Sequence, residues 1–306
     1  MFDSGSTPTY HDRHMSDAAK KLVLVTGGAG FVGSHLCERL VKTHRVISLD
    51  NYFNGTPENH IEGVEYRQGH TKDIATLVPE SPDMIYHLGE YARVGKSLEE
   101  PAVIWDLNVV GTLAVLEYWR DRKCKLIYSA SSTKSVGERA DGVLGRDLSP
   151  YTWAKAAMSD LVNDYAQWYD LPFTIVYFYN VYGPRERPVE KHGTFIETCR
   201  QRFLAGKPLT IRAPGTQTRA FTHVEDTVDG IILAAEKGAG DGYGIAANDV
   251  HSLVDVAEMF GSEIEWLPQT ATTREHSVLN SEKISALGWK QNHTLKTYIE
   301  EIKKTA

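Results

Sequence analysis

The sequence predicts an α/β fold: a doubly wound parallel sheet with a smaller mixed α/β domain that caps the substrate. Three observations favour this class. A glycine-rich turn lies near the start, strand-like apolar runs alternate with helical patterns as far as Asn180, and that alternation is lost afterwards. Alternation of this kind buries a parallel sheet between two layers of helices, and ligands then bind beyond the carboxyl ends of the strands.

The first βαβ unit is the most distinct of these alternations. Lys21–Thr26 is a short apolar run with β-branched residues, which is typical of a buried parallel strand. Phe31–Lys42 places apolar residues at helical spacing, and Arg45–Asp50 predicts a second strand that ends in an acid. Such a unit begins a dinucleotide-binding Rossmann domain when a glycine-rich turn joins its first strand to the helix.

The turn after the first strand has the required glycine pattern. Gly27, Gly30 and Gly33 follow the spacing G-x-x-G-x-x-G, which lets the backbone turn tightly, approach a pyrophosphate and pack the helix against the sheet. Asp50 follows about 20 residues later, where a carboxylate binds the adenosine ribose hydroxyls and repels the extra phosphate of NADP. The turn therefore predicts NAD as the cofactor. The alternative for Asp50 is that it only caps the next turn together with Asn51.

Further strands and helices follow in alternation. Strands are predicted at Met84–Leu88, Lys125–Ser129 and Phe173–Tyr177, and helices at Pro101–Arg120 and Tyr151–Tyr169. Glycine and prolines near 183–188 break the pattern, and Tyr243–Ala246 is expected to return to the sheet. We therefore assign residues 16–180 and about 221–247 to an NAD-binding domain, and residues 181–220 and 248–306 to a substrate-binding domain.

A second chemical motif lies at the start of the helix predicted near residue 151. Ser149 and Pro150 form a favourable helix start, a serine cap followed by proline at the first helical position. Tyr151 and Lys155 then share one helix face, and an ammonium beside a phenol lowers the pKa of the phenol from about 10 toward neutrality. Ser132, near the end of a predicted strand, is expected to hold the reacting oxygen. The alternative is a tyrosine and a lysine on a solvated helix.

The composition excludes several other classes of protein. The 306 residues are 42% hydrophobic and carry a net charge of -7, which leaves no basic face for nucleic acid. No run of about 18 apolar residues suggests a membrane span, and no secretory signal is evident, so a cytoplasmic location is expected. The cysteines and histidines lack the spacing of a disulfide framework or a metal site. Residues 1–15 look like an expression leader ahead of a native start at Met15.

These motifs resemble those of the extended short-chain dehydrogenase/reductase family, in particular its nucleotide-sugar epimerases and dehydratases. The resemblance covers nearly the whole chain after Lys20. Besides the glycine turn and the Ser/Tyr/Lys set, it is carried by His87-Leu88, Asn108–Thr112, Tyr179–Arg185, Pro208–Ile211, Gln217–Asp226 and Ala286–Trp289. The resemblance implies an NAD-dependent enzyme and a homodimer built from the helices near Ala102–Arg120 and Tyr151–Tyr169.

The resemblance also implies which residues contact the two ligands. Cofactor contacts are expected from the glycine turn, Asp50, Tyr151 and Lys155, and from Phe31, Val32, Asn51, Leu88 and Asn108. Asn180 and Arg219 are expected on the diphosphate of the sugar nucleotide, and Leu209 and Ile211 beside its base. Arg274 is a further candidate phosphate ligand, because a guanidinium matches phosphate geometry.

Some positions depart from the family pattern. Thr133-Lys134 stands where similar 4,6-dehydratases have an acidic pair or Asp-Lys, so the usual acid for removing water is absent. His70 and Ala220 stand where the family usually has aspartates. Glu90 puts a carboxylate where small residues are more usual, and it is expected to be a substrate contact, an alternative acid or a structural residue.

The sequence therefore favours an NAD-dependent nucleotide-sugar 4-epimerase that acts on a UDP-hexose or a UDP-N-acetylhexosamine, because epimerisation needs only oxidation at C4 and return of the hydride. The alternatives within the family are a 4,6-dehydratase, a decarboxylase and a 4-keto reductase; for dehydration, Glu90 would supply the missing acid. An alternative of another class is a non-catalytic NAD-binding regulatory protein, which would not need the Ser/Tyr/Lys set.

Overall fold

The computed structural model describes residues 20–131, 149–187, 193–269 and 279–305. The leader predicted over residues 1–15 lies outside these ranges, as do Ser132, Thr133, Lys134 and Arg274. The strands are β1 (Leu22–Thr26), β2 (Arg45–Asp50), β3 (Val64–Gln68), β4 (Met84–His87), β5 (Lys125–Ala130), β6 (Phe173–Tyr177), β7 (Val181–Tyr182), β8 (Leu209–Arg212), β9 (Thr218–Ala220), β10 (Thr222–His223), β11 (Gly240–Gly244), β12 (Val250–Ser252) and β13 (Ile264–Leu267). The helices are α1 (Phe31–Leu40), α2 (Ile74–Leu77), α3 (Val94–Glu99), α4 (Pro101–Ile104), α5 (Gly111–Arg122), α6 (Pro150–Tyr169), α7 (Phe195–Leu204), α8 (Val224–Lys237), α9 (Leu253–Phe260), α10 (Glu282–Ala286) and α11 (Leu295–Thr305).

Seven of these strands form one parallel sheet in the order β11-β6-β5-β4-β1-β2-β3. The predicted doubly wound α/β class is confirmed by this order. The sheet grows from β1 in both directions, so the crevice beyond β1 and β4 is the switch point at which such sheets bind ligands. β11 joins the sheet late in the chain, with Tyr243 opposite Val176 on β6. The domain boundaries themselves stay predictions.

Successive residues of each central strand pack into two different apolar layers. Leu24 belongs to a cluster with Trp119 of α5 and Val162 of α6, whereas Val23 and Val25 belong to a cluster with α1 and α8 side chains. This alternation follows from the two-residue period of a strand. Helices therefore cover both faces of the sheet, as a buried parallel sheet requires.

The helix predicted over Pro101–Arg120 is present but has an irregular interior. α4 passes into a π-helical stretch, Trp105–Val110, and continues as α5. The resulting 22-residue helix is the one described segment that is long and apolar enough to cross a membrane, with a mean hydropathy of 1.2 over a window that is 44% buried. Asp106, Asn108 and Glu117 interrupt this helix, so the prediction that no run of about 18 apolar residues occurs is not contradicted by this test of length and composition. A core helix of a folded domain also passes it, because one of its faces is apolar.

Beyond β7 the chain builds a smaller region from short strand pairs. β8 pairs with β13, β9 with β12, and β7 with β10. Side chains of α7, α9 and α11 pack on β8, and the core they form contains Leu209 and Ile211. The β7/β10 pair connects this region to the end of the central sheet, and Val181 lies opposite Thr222 there.

Candidate active site

A cavity of about 590 Å³ lies beyond the carboxyl ends of the central strands. Its wall comes from the glycine turn, the end of β2, the loop after β4, the end of β5, the first turns of α6 and the segment after β6. Thr194 and Arg219 of the smaller region complete it. This position matches the expected ligand site of a doubly wound sheet, because the turns after β1 and β4 both contribute.

The glycine turn leaves its backbone open to a ligand. Gly27 has a φ of +76°, and a side-chain carbon on it would lie 2.9 Å from the Cα of Gly89. A side-chain carbon on Gly33 would collide with the carbonyl oxygen of Gly27, so α1 packs directly on the turn. Gly30 and Phe31 line the cavity at the start of α1, where unpaired backbone N–H groups and the helix dipole favour an anion. These residues therefore fit the pyrophosphate of a dinucleotide.

Asp50 ends β2 and lines the cavity beside Asn51. Its Oδ1 accepts the N–H of Tyr52 at 2.8 Å, and its Oδ2 accepts the N–H of Ala29 at 2.9 Å. Burial raises the pKa of Asp50, while the two backbone donors act against that rise. The carboxylate thus caps the following turn, holds the glycine turn and also faces the cavity, where ribose binding stays a prediction.

α6 begins as the sequence predicts. The Ser149 hydroxyl accepts the N–H of Thr152 at 3.2 Å, the Thr152 hydroxyl accepts the N–H of Ser149 at 2.9 Å, and Pro150 is the first helical residue. This capping box fixes the first turn of the helix. Tyr151 and Lys155, four residues apart, both line the cavity, so one helix face presents a phenol and an ammonium to the same space.

Lys155 is held by three groups that the sequence analysis did not connect with it. Its Nζ donates to Oε2 of Glu90 and to the carbonyl oxygen of Ser129, and it lies 4.6 Å from the ring centre of Tyr128. The side chains of Lys155 and Glu90 are 5% and 4% exposed. Such a buried ion pair is stable only when the remaining hydrogen-bonding groups of both partners are also satisfied.

Glu90 meets this requirement through a network beneath the cavity. Its Oε1 accepts the hydroxyls of Tyr128 at 3.1 Å and Thr112 at 3.2 Å. The Thr112 hydroxyl also contacts Nε2 of His87 at 3.0 Å, and Nδ1 of His87 lies 2.7 Å from the Thr26 hydroxyl. Burial lowers the pKa of His87 to about 4, so the imidazole is neutral at physiological pH. The network links the carboxyl ends of β1, β4 and β5.

Another part of the wall carries two charged residues that the sequence analysis missed, Arg93 and Glu186. Burial raises the pKa of Glu186 to about 7, although Thr194 donates to its carboxylate from the backbone at 2.6 Å and from the hydroxyl at 2.9 Å. Burial lowers the pKa of Arg93, and its Nε is buried without a hydrogen-bond partner among the described residues. The sequence signal that could have identified Arg93 and Glu186 is that each is a charged residue in a loop that follows a strand.

Most of the predicted contact residues lie on the cavity wall: Gly27, Gly30, Phe31, Val32, Gly33, Asp50, Asn51, Leu88, Glu90, Tyr151, Lys155, Asn180 and Arg219. Asn108 does not, because its buried side-chain amide accepts the N–H of Tyr91 at 2.7 Å and donates to the Tyr91 carbonyl at 2.8 Å. Leu209 and Ile211 do not either, because their side chains are fully buried in the core of the smaller region. The prediction that this segment passes beside the nucleotide base stays a prediction.

Two of the predicted site residues, Ser132 and Arg274, lie outside the described residues. Ser129 and Ser131, at the end of β5, do line the cavity. Within the described ranges, no three His, Cys, Asp or Glu side chains are grouped so that they could hold a metal ion.

A doubly wound sheet whose glycine turn shares one cavity with a Tyr/Lys helix pair is typical of enzymes that use a nicotinamide dinucleotide. Comparison with protein families gives the specific group. Residues 23–246 match the NAD-dependent epimerase/dehydratase family, and the chain belongs to that family. NAD is accordingly its cofactor.

Curated relatives and solved structures agree with this assignment. The chain is 32% identical over 259 residues to a UDP-N-acetyl-α-D-glucosaminuronate decarboxylase of Bacillus cytotoxicus, covering 78% of this chain and 79% of the relative. It is 30% identical over 289 residues to a UDP-glucose 4-epimerase of Mycolicibacterium smegmatis, covering 87% and 92%. The UDP-glucuronic acid 4-epimerase of Bacillus cereus, solved with UDP-glucuronic acid and NAD, has a TM-score of 0.82 at 26% identity, with 93% of this chain and 100% of that chain covered.

Proposed function

We propose that the protein is an NAD-dependent nucleotide-sugar 4-epimerase that acts on a UDP-hexose or a UDP-N-acetylhexosamine. The observation that carries this proposal is that Tyr151 and Lys155 line the same cavity as the glycine turn. A base beside a dinucleotide site supports oxidation of a secondary alcohol. The UDP-linked sugars of similar proteins support the substrate class.

The predicted site residues have the following roles in the proposed reaction. Tyr151 takes the proton from the C4 hydroxyl of the sugar, Ser132 holds the same oxygen, and Lys155 orients the nicotinamide ribose and stabilises the phenolate. When bound, NAD would supply the hydride acceptor and donor that inversion at C4 needs. Asn180 and Arg219 hold the diphosphate, for which a guanidinium is well matched.

One observation favours a second candidate, decarboxylation of a UDP-linked uronic acid. Arg93 places a largely buried guanidinium on the cavity wall, with its Nε unpartnered among the described residues. A guanidinium in such a position matches the carboxylate of a uronic acid. A relative that is 32% identical is named as a decarboxylase of such a sugar. The initial oxidation by Tyr151 and Lys155 is common to both reactions.

Proton NMR of the purified protein distinguishes these reactions. The protein is incubated with UDP-glucose, UDP-N-acetylglucosamine or UDP-glucuronic acid, each with catalytic NAD. The proposal expects the anomeric signal of a 4-epimer and no other new sugar. A pentose pattern from UDP-glucuronic acid would establish decarboxylation instead, and a 6-deoxy methyl signal would establish dehydration. No reaction with any of the three would contradict the proposed substrate class.

Tyr151→Phe tests the role of the phenol. Loss of the proton acceptor is expected to lower kcat by about a thousandfold, within the usual range for general acid–base catalysis, while NAD stays bound. Tyr165→Phe is the matched control on the same helix, because the Tyr165 hydroxyl donates to Glu117 at 2.6 Å and does not line the cavity. Full activity in Tyr151→Phe would refute the assignment.

We also propose that the protein forms a homodimer. Trp105 on the π-helical stretch and Trp153 on α6 are 39% and 43% exposed, and their rings meet edge to face with centres 5.6 Å apart. Leu113 and Trp168 on the same two helices are exposed as well. Large apolar side chains on one surface favour association. Sedimentation equilibrium should give twice the mass of the chain, and a monomer at micromolar concentration would contradict the proposal.

The cytoplasmic location stays a prediction.

A further inference from the structure

The lysine that the proposed reaction uses is already engaged within the protein. The Lys155 ammonium donates to Glu90 and to the carbonyl oxygen of Ser129, and it lies over the ring of Tyr128. Both members of the Lys155/Glu90 pair are almost fully buried. The charge of Glu90 therefore affects how Lys155 acts on a cofactor or on Tyr151.

The hydrogen bonds around Glu90 all run toward it. The Lys155 ammonium can only donate hydrogen bonds, and it donates to Oε2 of Glu90. The hydroxyls of Tyr128 and Thr112 donate to Oε1. Because Thr112 gives its one proton to Glu90, it accepts from Nε2–H of His87. A carboxylate that accepts from every neighbour is ionised and holds no proton. Glu90 is therefore unsuited to act as the alternative acid.

Glu90 also lies beside the dinucleotide wall of the cavity. It directly follows Gly89, which approaches the glycine turn so closely that Gly27 has no room for a side chain. The Thr26 hydroxyl accepts the N–H of Gly89 at 3.0 Å, which fixes this loop against the end of β1. The negative charge is thus held next to the dinucleotide site and against the ammonium of Lys155.

Other titratable groups of the described residues also act at this point. The titratable and charged groups that face Glu90, Lys155 and Tyr151 from neighbouring elements are His87 on β4, Tyr128 on β5, Arg93 before α3 and, beyond Arg93, Glu186. Burial lowers the pKa of His87 and raises that of Tyr128, so both are neutral at physiological pH. Lys155, Glu90 and Arg93 therefore carry charge beside Tyr151.

We propose that Glu90 is a positioning residue that fixes Lys155 and offsets its positive charge. With the pair nearly neutral, the site favours the cationic, oxidised nicotinamide over the neutral, reduced form. It also leaves the phenol of Tyr151 less acidic than an unbalanced lysine would make it. The consequence for Tyr151 rests on the proposed function, whereas the preference for oxidised cofactor does not. Such a site keeps NAD ready to accept a hydride between turnovers.

Glu90→Gln tests this proposal because it removes the charge and keeps the shape. The reduction equilibrium of the bound cofactor is measured in the holoenzyme against a redox dye, from the near-ultraviolet absorbance of reduced nicotinamide. We expect it to shift about tenfold toward the reduced form, as a unit charge at several ångströms in an intermediate dielectric implies. The pH at which kcat reaches half its plateau should fall by about one unit. Glu99→Gln is the matched control, an exposed carboxylate paired with Lys96, and should leave both values unchanged.

An unchanged reduction equilibrium in Glu90→Gln would overturn the proposal, even if turnover fell. If Glu90→Gln does not fold because its amide group lies against the Lys155 ammonium, Glu90→Ala is measured instead. It removes the same charge without placing an amide there, and it should shift the reduction equilibrium by the same amount. A merely structural role would lower stability and kcat in both variants and leave the equilibrium and the pH midpoint in place. Because the equilibrium is measured without a sugar, this test succeeds or fails independently of the epimerase proposal.

Discussion

Two glutamates, Glu90 and Glu186, line one cavity, and their surroundings differ in kind. Glu90, on the loop after β4, pairs with Lys155 and accepts two hydroxyl donors. Glu186, on the loop after β7, accepts the N–H and the hydroxyl of Thr194, and no cation lies within ion-pair distance of it among the described residues. Burial raises the pKa of Glu186 to about 7.

This difference shows that burial alone does not decide the charge of a side chain in the cavity. Glu90 is surrounded by donors and by the ammonium of Lys155, which suits a carboxylate acceptor. Glu186 is close to the midpoint of its titration near neutral pH. Ion pairing suits Glu90 to the holding of Lys155, whereas a proton that exchanges near pH 7 suits Glu186 to contact with a polar group of a substrate.

The largest expected effect comes from breaking the ion pair. Lys155→Met leaves Glu90 charged and unpaired in the interior, and removal of one partner of a buried pair typically costs about 3–5 kcal/mol. We expect the free energy of unfolding, measured by urea titration, to fall by that amount. The double variant Lys155→Met/Glu90→Gln should regain most of the stability without regaining turnover. Equal stability of the single and double variants would show that the unpaired charge is not the cause.

Glu186→Gln tests the other carboxylate. Because the pKa of Glu186 is raised from 4.5 to about 7, the folded protein keeps a proton between these pH values that the unfolded chain has released. The stabilisation from that proton is therefore present at low pH and is lost, by about 3 kcal/mol, as the pH rises through this window. The difference in the free energy of unfolding between wild type and Glu186→Gln should show this loss and level off above about pH 7.

The measurement must be a difference because two histidines act in the opposite direction. The pKa values of His87 and His223 are lowered to about 4, so their contributions make the protein more stable as the pH rises from 4 to about 6.5. Both histidines are present in wild type and in Glu186→Gln, so they cancel. Glu236→Gln, at an exposed position on α8, should give a flat difference, and a flat difference for Glu186→Gln would contradict the raised pKa.

The smallest effect is expected from Tyr128→Phe, which removes one hydroxyl donor of Glu90 and leaves its charge. The free energy of unfolding should fall by about 1.5–3 kcal/mol in urea titration, as for loss of one hydrogen bond to a charged group. The reduction equilibrium of the cofactor should stay nearly unchanged, because Glu90 and Lys155 keep their charges. A shift as large as that of Glu90→Gln would mean that hydrogen bonding rather than charge sets the equilibrium.

The parts of the molecule that follow from short-range patterns could be predicted from the sequence. The glycine turn depends on three glycines within seven residues, and the start of α6 depends on Ser149 and Pro150 at adjacent positions. Both are local steric and capping requirements, so no knowledge of the fold is needed. The strand–helix alternation likewise identified the fold class, although the π-helical stretch Trp105–Val110 has no such local signal.

Contacts that depend on strand order and side-chain direction could not be predicted. Glu90 and Lys155 are separated by 65 positions and meet because β4 lies next to β5, which precedes α6. The sequence identified Glu90 as a departure but gave no partner for it. Leu209 and Ile211 match a family motif, yet they lie on the same face of β8, which the packing of α7 and α9 buries.

The network beneath the cavity also has a direction. The N–H of Gly89 donates to Thr26, whose hydroxyl donates to His87; the imidazole then donates to Thr112, and Thr112 donates to Glu90. A backbone N–H at one end cannot accept and a carboxylate at the other cannot donate, so the tautomer of the imidazole is determined. The imidazole proton is enclosed and bonded, and it is therefore shielded from exchange with water. Its NMR resonance should therefore report on the charge of Glu90 from a residue that does not line the cavity.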